Sequence, residues 1–217
     1  MQTDTSPEIE NYQVKTVAVV PFQALPTPQI IDLRDSQMQG PQGAVRSDIS
    51  LAIPQTIERY DQPTATVPPQ AAEKLTRIFY GKLKVWQGLK VLSPEETAQA
   101  VKKLGDTSGL TPEQVAKRVA KQLSADAALI GRVLIYQERV GGKLGAQPAT
   151  VGFEVKLVSV DGRVLWVGNY FEKQRPMIED LPGFVQRGGV FVTADELAQY
   201  GAEHVVKDFP FGVQPEK

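Results

Sequence analysis

The 217-residue chain offers few side chains of the types that catalysis requires. It contains no cysteine and a single histidine, His204, so thiolate chemistry, disulfides and multi-histidine metal sites are excluded. A histidine that acts as a base needs a nucleophile or an orienting carboxylate, and no motif in the sequence supplies one. We therefore interpret His204 as a residue at the edge of the core, paired with the backbone or with water. We expect no metal and no cofactor.

Adjacent carboxylates such as Glu95-Glu96 and Glu179-Asp180 have the residue types for general acid–base chemistry or cation binding. The first pair, Glu95-Glu96, follows a serine and a proline, and this order is typical of a helix start, which explains the pair. The second pair, Glu179-Asp180, has no such explanation, although no calcium-loop pattern surrounds it. A hydrolase or sugar-processing enzyme that uses Glu179 and Asp180 is therefore kept as the alternative function.

An irregular segment from 175 to 192 carries residue types that protein interfaces favour. It contains two prolines and a Gly-Gly step, together with aromatic and arginine side chains. Either the aromatic residues pin the segment onto a sheet, or they form a recognition surface with the arginines. The second interpretation gives a candidate partner-binding set of Arg175, Phe184, Arg187 and Phe191.

Charge is unevenly distributed along the chain. The totals are 24 basic and 25 acidic residues, and a net charge of -1 excludes a generally basic nucleic-acid-binding protein. Residues 73–122 hold 10 basic and 5 acidic residues, whereas residues 1–72 hold 4 and 8. The basic block coincides with three predicted helices. It is either an ordinary solvated helix surface or a surface that attracts anionic lipid or an acidic partner.

Three parts are predicted along the chain: a flexible polar tether over 1–13, a single domain over 14–211 and a tail over 212–217. Within the domain, residues 23–69 form a proline-rich insertion, since eight of the sixteen prolines lie between 21 and 69. Proline excludes a long helix or a central strand there. No run of residues is long and apolar enough to cross a membrane, and the polar start does not resemble a signal peptide. Both a cytosolic protein and an exported protein that has lost its signal peptide fit this start.

Hydrophobic periodicity predicts the elements that build the domain. Residues 14–22 are predicted to form a central strand, because both of its faces are apolar near its middle. An amphipathic helix is predicted over 70–87, followed by a short strand over 88–92. Three further helices are predicted to begin at capping boxes, in which a hydroxyl and a Glu or Gln satisfy each other's backbone amides. The boxes are headed by Ser93, Thr111 and Thr193.

Three runs near the carboxyl half predict an antiparallel meander over 127–136, 151–160 and 163–171. Asp161-Gly162 is a strong signal for the hairpin turn between the last two runs. In the middle run, apolar residues alternate with Glu154 and Lys156, which predicts one buried and one solvated face. The expected fold class is α/β (α+β): a mixed sheet of about five strands with helices packed on it, plus a proline-rich arm.

The order of these elements resembles a known group of bacterial envelope lipoproteins. The segments that carry the resemblance are 17–22, 125–131 and 160–166, and together it covers 14–22 and 70–208. The group is related to the TolB amino-terminal domain. It includes the curli-secretion lipoprotein and the outer-membrane lipoprotein activators of penicillin-binding proteins.

This resemblance implies a periplasmic domain, anchored to the outer membrane by a lipid, that is not an enzyme. It implies binding of an envelope partner protein, in cell-wall synthesis or in secretion and assembly. Nucleic acid is not an expected partner, and the oligomeric state stays open. The lipid-modified cysteine of such proteins is not in the sequence, so membrane association would depend on an anchor that has been removed.

Overall fold

The computed structural model of the protein describes residues 1–27, 29–30, 64–142, 145–147, 149–173 and 192–215. Its strands are β1 (Gln2–Thr5), β2 (Thr16–Val19), β3 (Gln23–Ala24), β4 (Gln29–Ile30), β5 (Thr64–Ala65), β6 (Lys90–Leu92), β7 (Ala127–Gln137), β8 (Val140–Gly142), β9 (Gly145–Gln147), β10 (Thr150–Ser159) and β11 (Val164–Lys173). Its helices are a 3-10 turn (Ile9–Asn11), α1 (Pro69–Leu83), α2 (Pro94–Lys103), α3 (Pro112–Gln122) and α4 (Ala194–Lys207).

Seven strands form one mixed sheet in the order β1-β11-β10-β7-β2-β6, and β3 pairs with β7 beyond the end of β2. Strands β7, β10 and β11 are antiparallel neighbours, which confirms the predicted meander. Strand β2 is parallel to both β6 and β7, so the sheet is mixed, as expected. Strands β4 and β5 pair with each other and bring the two ends of the proline-rich insertion together. Most of that insertion lies outside the described residues.

The sheet has seven described strands, two more than the five or so that the sequence predicts. Residues 2–5, expected to belong to a flexible tether, form β1 and pair with β11, with Gln2 opposite Asn169. The threonines of this segment favour extended backbone. The strand was not predicted because the segment is polar, and an edge strand with solvated side chains shows no apolar alternation. The other additional strand, β3, has only two residues and is too short to give a periodic signal.

Hydroxyl groups from two helices complete the hydrogen bonding where β2 ends. Pro21 has no amide to donate, and the next amide, that of Phe22, donates to the hydroxyl of buried Thr76 over 2.9 Å. On the other side, the buried Thr97 hydroxyl donates to the Val19 carbonyl over 2.6 Å. Buried backbone groups without partners are costly, so these threonines permit the chain to leave the sheet inside the core.

The helix starts agree with their sequence signals. Ser93, Thr111 and Thr193 each form a complete capping box with the residue three positions later. Helix α1 ends at Leu83, four residues earlier than predicted, but Trp86 remains buried in the core beyond it. Among the described helices, none has both the length and the apolar character that spanning a bilayer requires.

The two faces of the sheet are covered to different extents. Helices α1 and α4 pack on one face over large aliphatic and aromatic side chains, and we call it the sealed face. Helices α2 and α3 pack on the opposite face through a smaller cluster rich in alanine, including Ala116, Ala120 and Ala128. Small side chains let α3 lie close to the sheet, over the start of β7 and the end of β10. None of the described helices packs on the remainder of this second face.

The segments that carry the family resemblance occupy structural positions. The Asp126 carboxylate accepts hydrogen bonds from the Lys15 and Thr16 amides, at 2.9 and 2.8 Å, and so fixes the start of β2. Gly131 lies against the Phe22 ring, where an added Cβ would approach within 2.5 Å. Gly162 has a φ of +97° in the turn between β10 and β11. These segments therefore specify turns and close packing.

Candidate functional site

The predicted site residues all fall in one segment that the structure does not describe. Arg175, Phe184, Arg187 and Phe191 lie outside the described residues, as do Glu179 and Asp180. Their proposed roles stay predictions. The lone histidine is described: Nδ1 of His204 lies 2.8 Å from the Tyr200 carbonyl oxygen, one turn earlier in α4. Within the described ranges, no group of three or more His, Asp or Glu residues is arranged to hold a metal ion.

A different surface stands out on the part of the second sheet face that α3 does not cover. Because side chains alternate along a strand, it is built from every second residue of four adjacent strands, except at a bulge in β7. We call this surface the open face. Its residues are Gln2 and Asp4 on β1, Val167, Asn169 and Phe171 on β11, Gly152, Glu154 and Lys156 on β10, and Arg132 and Ile135 on β7.

The outer row of the open face is apolar. Gly152 lies opposite Ile135 on one side and Phe171 on the other. A Cβ on Gly152 would come within 2.9 Å of the Ile135 side chain and 3.0 Å of the Phe171 ring, so these two side chains close over the glycine. Phe171 is nevertheless 64% exposed. This group of three residues, the Phe171 patch, presents a large aromatic surface to solvent.

The middle row of the open face is polar. Register places Glu154 directly between Arg132 on β7 and Asn169 on β11. Glu154 pairs with Lys156 over 3.1 Å, and Lys156 pairs on its other side with Glu113 of α3, also over 3.1 Å. Arg132 is exposed and, among the described residues, has no carboxylate within ion-pair distance. Glu113 and Glu154 therefore share one cation, Lys156, and a second cation, Arg132, lies beside Glu154.

The ion pairs of this row shift the titration of their members. Partial burial alone would raise the pKa of Glu113, but hydrogen bonds from its own amide and from Lys156 outweigh burial and hold the pKa below its ordinary value. Burial alone would lower the pKa of Lys156, but the neighbouring Glu154 and Glu113 carboxylates raise it. Glu113 and Lys156 are therefore both charged at neutral pH.

A cleft of about 340 Å³ lies where the open face meets α3. Its floor is apolar and includes Val20 and Ile130, both largely buried, and Val115 contributes to the helix side. Arg132, Glu154 and Lys156 line the side that continues into the open face. The cleft and the Phe171 patch are thus two apolar sites joined by the polar middle row. Apolar sites bordered by charged groups have the composition that protein interfaces favour.

The fold and this surface define an α+β domain with one sheet face that the described helices cover only in part. The sequence matches no family model and no curated protein at a significant level. Solved structures to which it is similar include a PelC dodecamer from Paraburkholderia phytofirmans, at 14% identity and a TM-score of 0.48, covering 99% of this chain and 98% of that one. They also include the LpoB C-terminal domain from Salmonella enterica, at 12% identity and a TM-score of 0.37, covering 77% and 94%.

A third similar structure is lipoprotein GNA1162 from Neisseria meningitidis, at 14% identity and a TM-score of 0.38, covering 80% of this chain and 96% of that one. All three likenesses are low in identity and in TM-score. They carry no conclusion about what this chain binds.

Two residues of the open face were predicted from the sequence to lie on a solvated sheet face. The alternation in β10 predicted that Glu154 and Lys156 lie on a solvated face, and the structure places both there. Arg132 and Phe171 were missed as site residues, because each is a single residue in a strand-like run. Strand register alone brings them together with Glu154 on one face. The predicted meander was the one feature of the sequence that could have indicated Phe171 as a surface residue, because it places this aromatic residue at the end of a strand.

Proposed function

We propose that the chain is a non-catalytic binding domain of the bacterial cell envelope, and that the open face is where it binds a partner protein. The observation that carries this proposal is the Phe171 patch: a mostly exposed aromatic ring at the end of a sheet face that none of the described helices covers. Exposed aromatic side chains flanked by charged groups are favoured at the centres of protein interfaces.

The compartment is proposed from the sequence resemblance. The segments 17–22, 125–131 and 160–166 occur in the order found in envelope lipoproteins related to the TolB amino-terminal domain. On this basis, we propose that the protein is periplasmic, is held at the outer membrane by a lipid anchor, and assists cell-wall synthesis or a secretion assembly. The partner is then another envelope protein.

A photo-crosslinking residue in place of Phe171 tests this proposal in cells that make the full-length protein. A matched control places the same residue at Tyr200, which is 53% exposed on α4, away from the open face. We expect a discrete adduct with an identified envelope protein from position 171 and none from position 200. The purified partner should then bind Phe171→Ser at least tenfold more weakly than the unmodified protein, and Tyr200→Ser with unchanged affinity.

Two results would contradict the proposal. One is fractionation of the full-length protein with the cytosol and no envelope adduct from position 171. The other is equal affinity of the purified partner for Phe171→Ser and for the unmodified protein, which would place the binding surface elsewhere.

A further inference from the structure

We infer that the cleft beside α3 receives an extended segment of the partner protein that carries an acidic side chain, and that Arg132 pairs with this carboxylate. The inference rests on the proposed function, because it specifies the chemistry of the partner for the same surface. It goes beyond that function by assigning a binding residue and a partner motif.

Charge complementarity identifies the acidic group. The cleft contains two cations, and Lys156 is already held between Glu113 and Glu154 at 3.1 Å from each. Arg132 is the cross-strand neighbour of Glu154, but Glu154 pairs with Lys156 instead. Among the described residues, Arg132 is therefore the cation of the cleft that has no ion-pair partner. An arginine presents a planar pair of donors, and a carboxylate is the group that it binds in bidentate geometry.

The apolar floor of the cleft favours a protein segment over a small free anion. A free phosphate or free amino acid could satisfy Arg132, but it would not use the surface formed by Val20, Val115 and Ile130. The cleft is also continuous with the open face through Arg132 and Glu154. A chain that enters the cleft can therefore continue across the middle row to the Phe171 patch.

Strand geometry sets the spacing of the motif. Arg132 and Phe171 lie two strands apart and two residues apart along the strand direction. With strands roughly 4.8 Å apart and a rise of roughly 3.4 Å per residue, the two positions are separated by about 12 Å. An extended segment covers that distance in about four residues. The partner motif is therefore an Asp or Glu followed or preceded, about four positions away, by an aromatic or large aliphatic residue.

Synthetic peptides test this inference directly on the full chain. The probe is a set of labelled nonapeptides that place a Glu and a Phe or Leu two to six positions apart, each with a twin in which Gln replaces the Glu. Binding is measured by fluorescence anisotropy at fixed ionic strength. We expect the tightest binding at a spacing near four and at least a tenfold loss in the Gln twin, because a charge-assisted hydrogen bond is removed.

Variants of the protein locate the contact. Arg132→Gln should lower the affinity for the Glu peptide by about the same factor as replacing the peptide's Glu by Gln does. The variant should bind the Gln twin with the same affinity as the unmodified protein does. Arg118→Gln removes the same charge from an exposed position on α3 outside the cleft and is the matched control. It should change affinity less than twofold. Thermal unfolding should be the same for both variants.

Three results would overturn the inference: no saturable binding by any Glu peptide, equal binding of the Glu peptides and their Gln twins, or an equal loss of affinity in Arg132→Gln and Arg118→Gln. A fourth would be full competition by inorganic phosphate or free glutamate at a concentration equal to the dissociation constant of the peptide. The last result would identify a small-anion site instead. The proposed function is tested separately. An envelope adduct from position 171, together with unchanged affinity of Arg132→Gln for the Glu peptide, would support the function and reject the acidic motif.

Discussion

The sealed face and the open face are made by the same strands but from different residues. On the sealed face, Phe22, Phe79, Phe153 and Tyr170 form a continuous series of rings, with successive centroids 5.3 to 5.5 Å apart. Along β10, Phe153 is fully buried in this series, whereas its neighbour Glu154 points to the opposite, solvated face. Close packing of large side chains is therefore concentrated on the sealed face, whereas the open face is solvated.

Truncating one phenylalanine on each face tests this division most strongly. Phe153→Ala should lower the free energy of unfolding by about 3–5 kcal/mol, because it empties a closely packed site between Phe79 and Tyr170. Phe171→Ala should lower it by less than about 0.5 kcal/mol, because the ring is mostly exposed. Denaturant unfolding of both variants measures the difference. Similar losses from the two would show that the open face also contributes to the core.

Adding one methyl group to a glycine on each face gives a smaller contrast. Gly131→Ala should cost about 1–3 kcal/mol, since the new Cβ would approach the Phe22 ring within 2.5 Å and that ring is buried. Gly152→Ala should cost less, because neither of the side chains that the added atom would meet, Ile135 and Phe171, is fully buried, so both can shift. Chemical denaturation again provides the measurement. A larger cost at Gly152 than at Gly131 would contradict the division between the faces.

The sequence predicts the core and the helices better than the open face for a physical reason. Core residues and helix caps leave local signals: the boxes at Ser93, Thr111 and Thr193 formed as expected. Strand β1 was missed because its solvated residues have no apolar pattern, and Arg132 and Phe171 were missed because their proximity depends on the pairing of three strands. Binding surfaces are assembled from register, which no single segment of the sequence contains.

An acidic residue at the rim of the sealed face predicts a pH dependence. Asp195 accepts from Lys74 over 2.8 Å and from the Tyr136 hydroxyl, and these two hydrogen bonds hold its pKa below the ordinary value. A carboxyl with a lowered folded pKa stabilises the protein fully above its unfolded pKa, about 3.9, and this contribution is lost as pH falls through the folded value.

Exchange of Asp195 measures that contribution. Asp195→Asn should cost less than about 1 kcal/mol at neutral pH, because both partners of the ion pair are nearly half exposed. The difference in unfolding free energy from the unmodified protein should shrink as pH is lowered below 4. Thermal unfolding between pH 7 and pH 3 provides the comparison. A difference that stays constant over this range would mean that the charge of Asp195 has no stabilising role.

The ion pairs of the open face are expected to affect stability little and partner binding more. Lys156→Gln should change the unfolding free energy by less than about 1 kcal/mol, because its ion pairs are only partly buried and solvent screens them. It should nevertheless lower the affinity for the Glu peptide severalfold. Without Lys156, Glu154 is expected to pair with Arg132 across the strands and so to compete with the carboxylate of the peptide. Surface pairs would then serve to keep Arg132 available.

Two double variants of equal net charge separate this competition from a general loss of positive charge. Lys156→Gln with Glu154→Gln removes the competing carboxylate and should restore the affinity for the Glu peptide. Lys156→Gln with Glu113→Gln leaves Glu154 in place and should remain weak, although its net charge is the same. If both doubles recover equally, the effect of Lys156 is one of charge alone, and Glu154 does not control access to Arg132. Recovery of the first double alone requires that Glu154 and the partner's carboxylate compete for the same arginine.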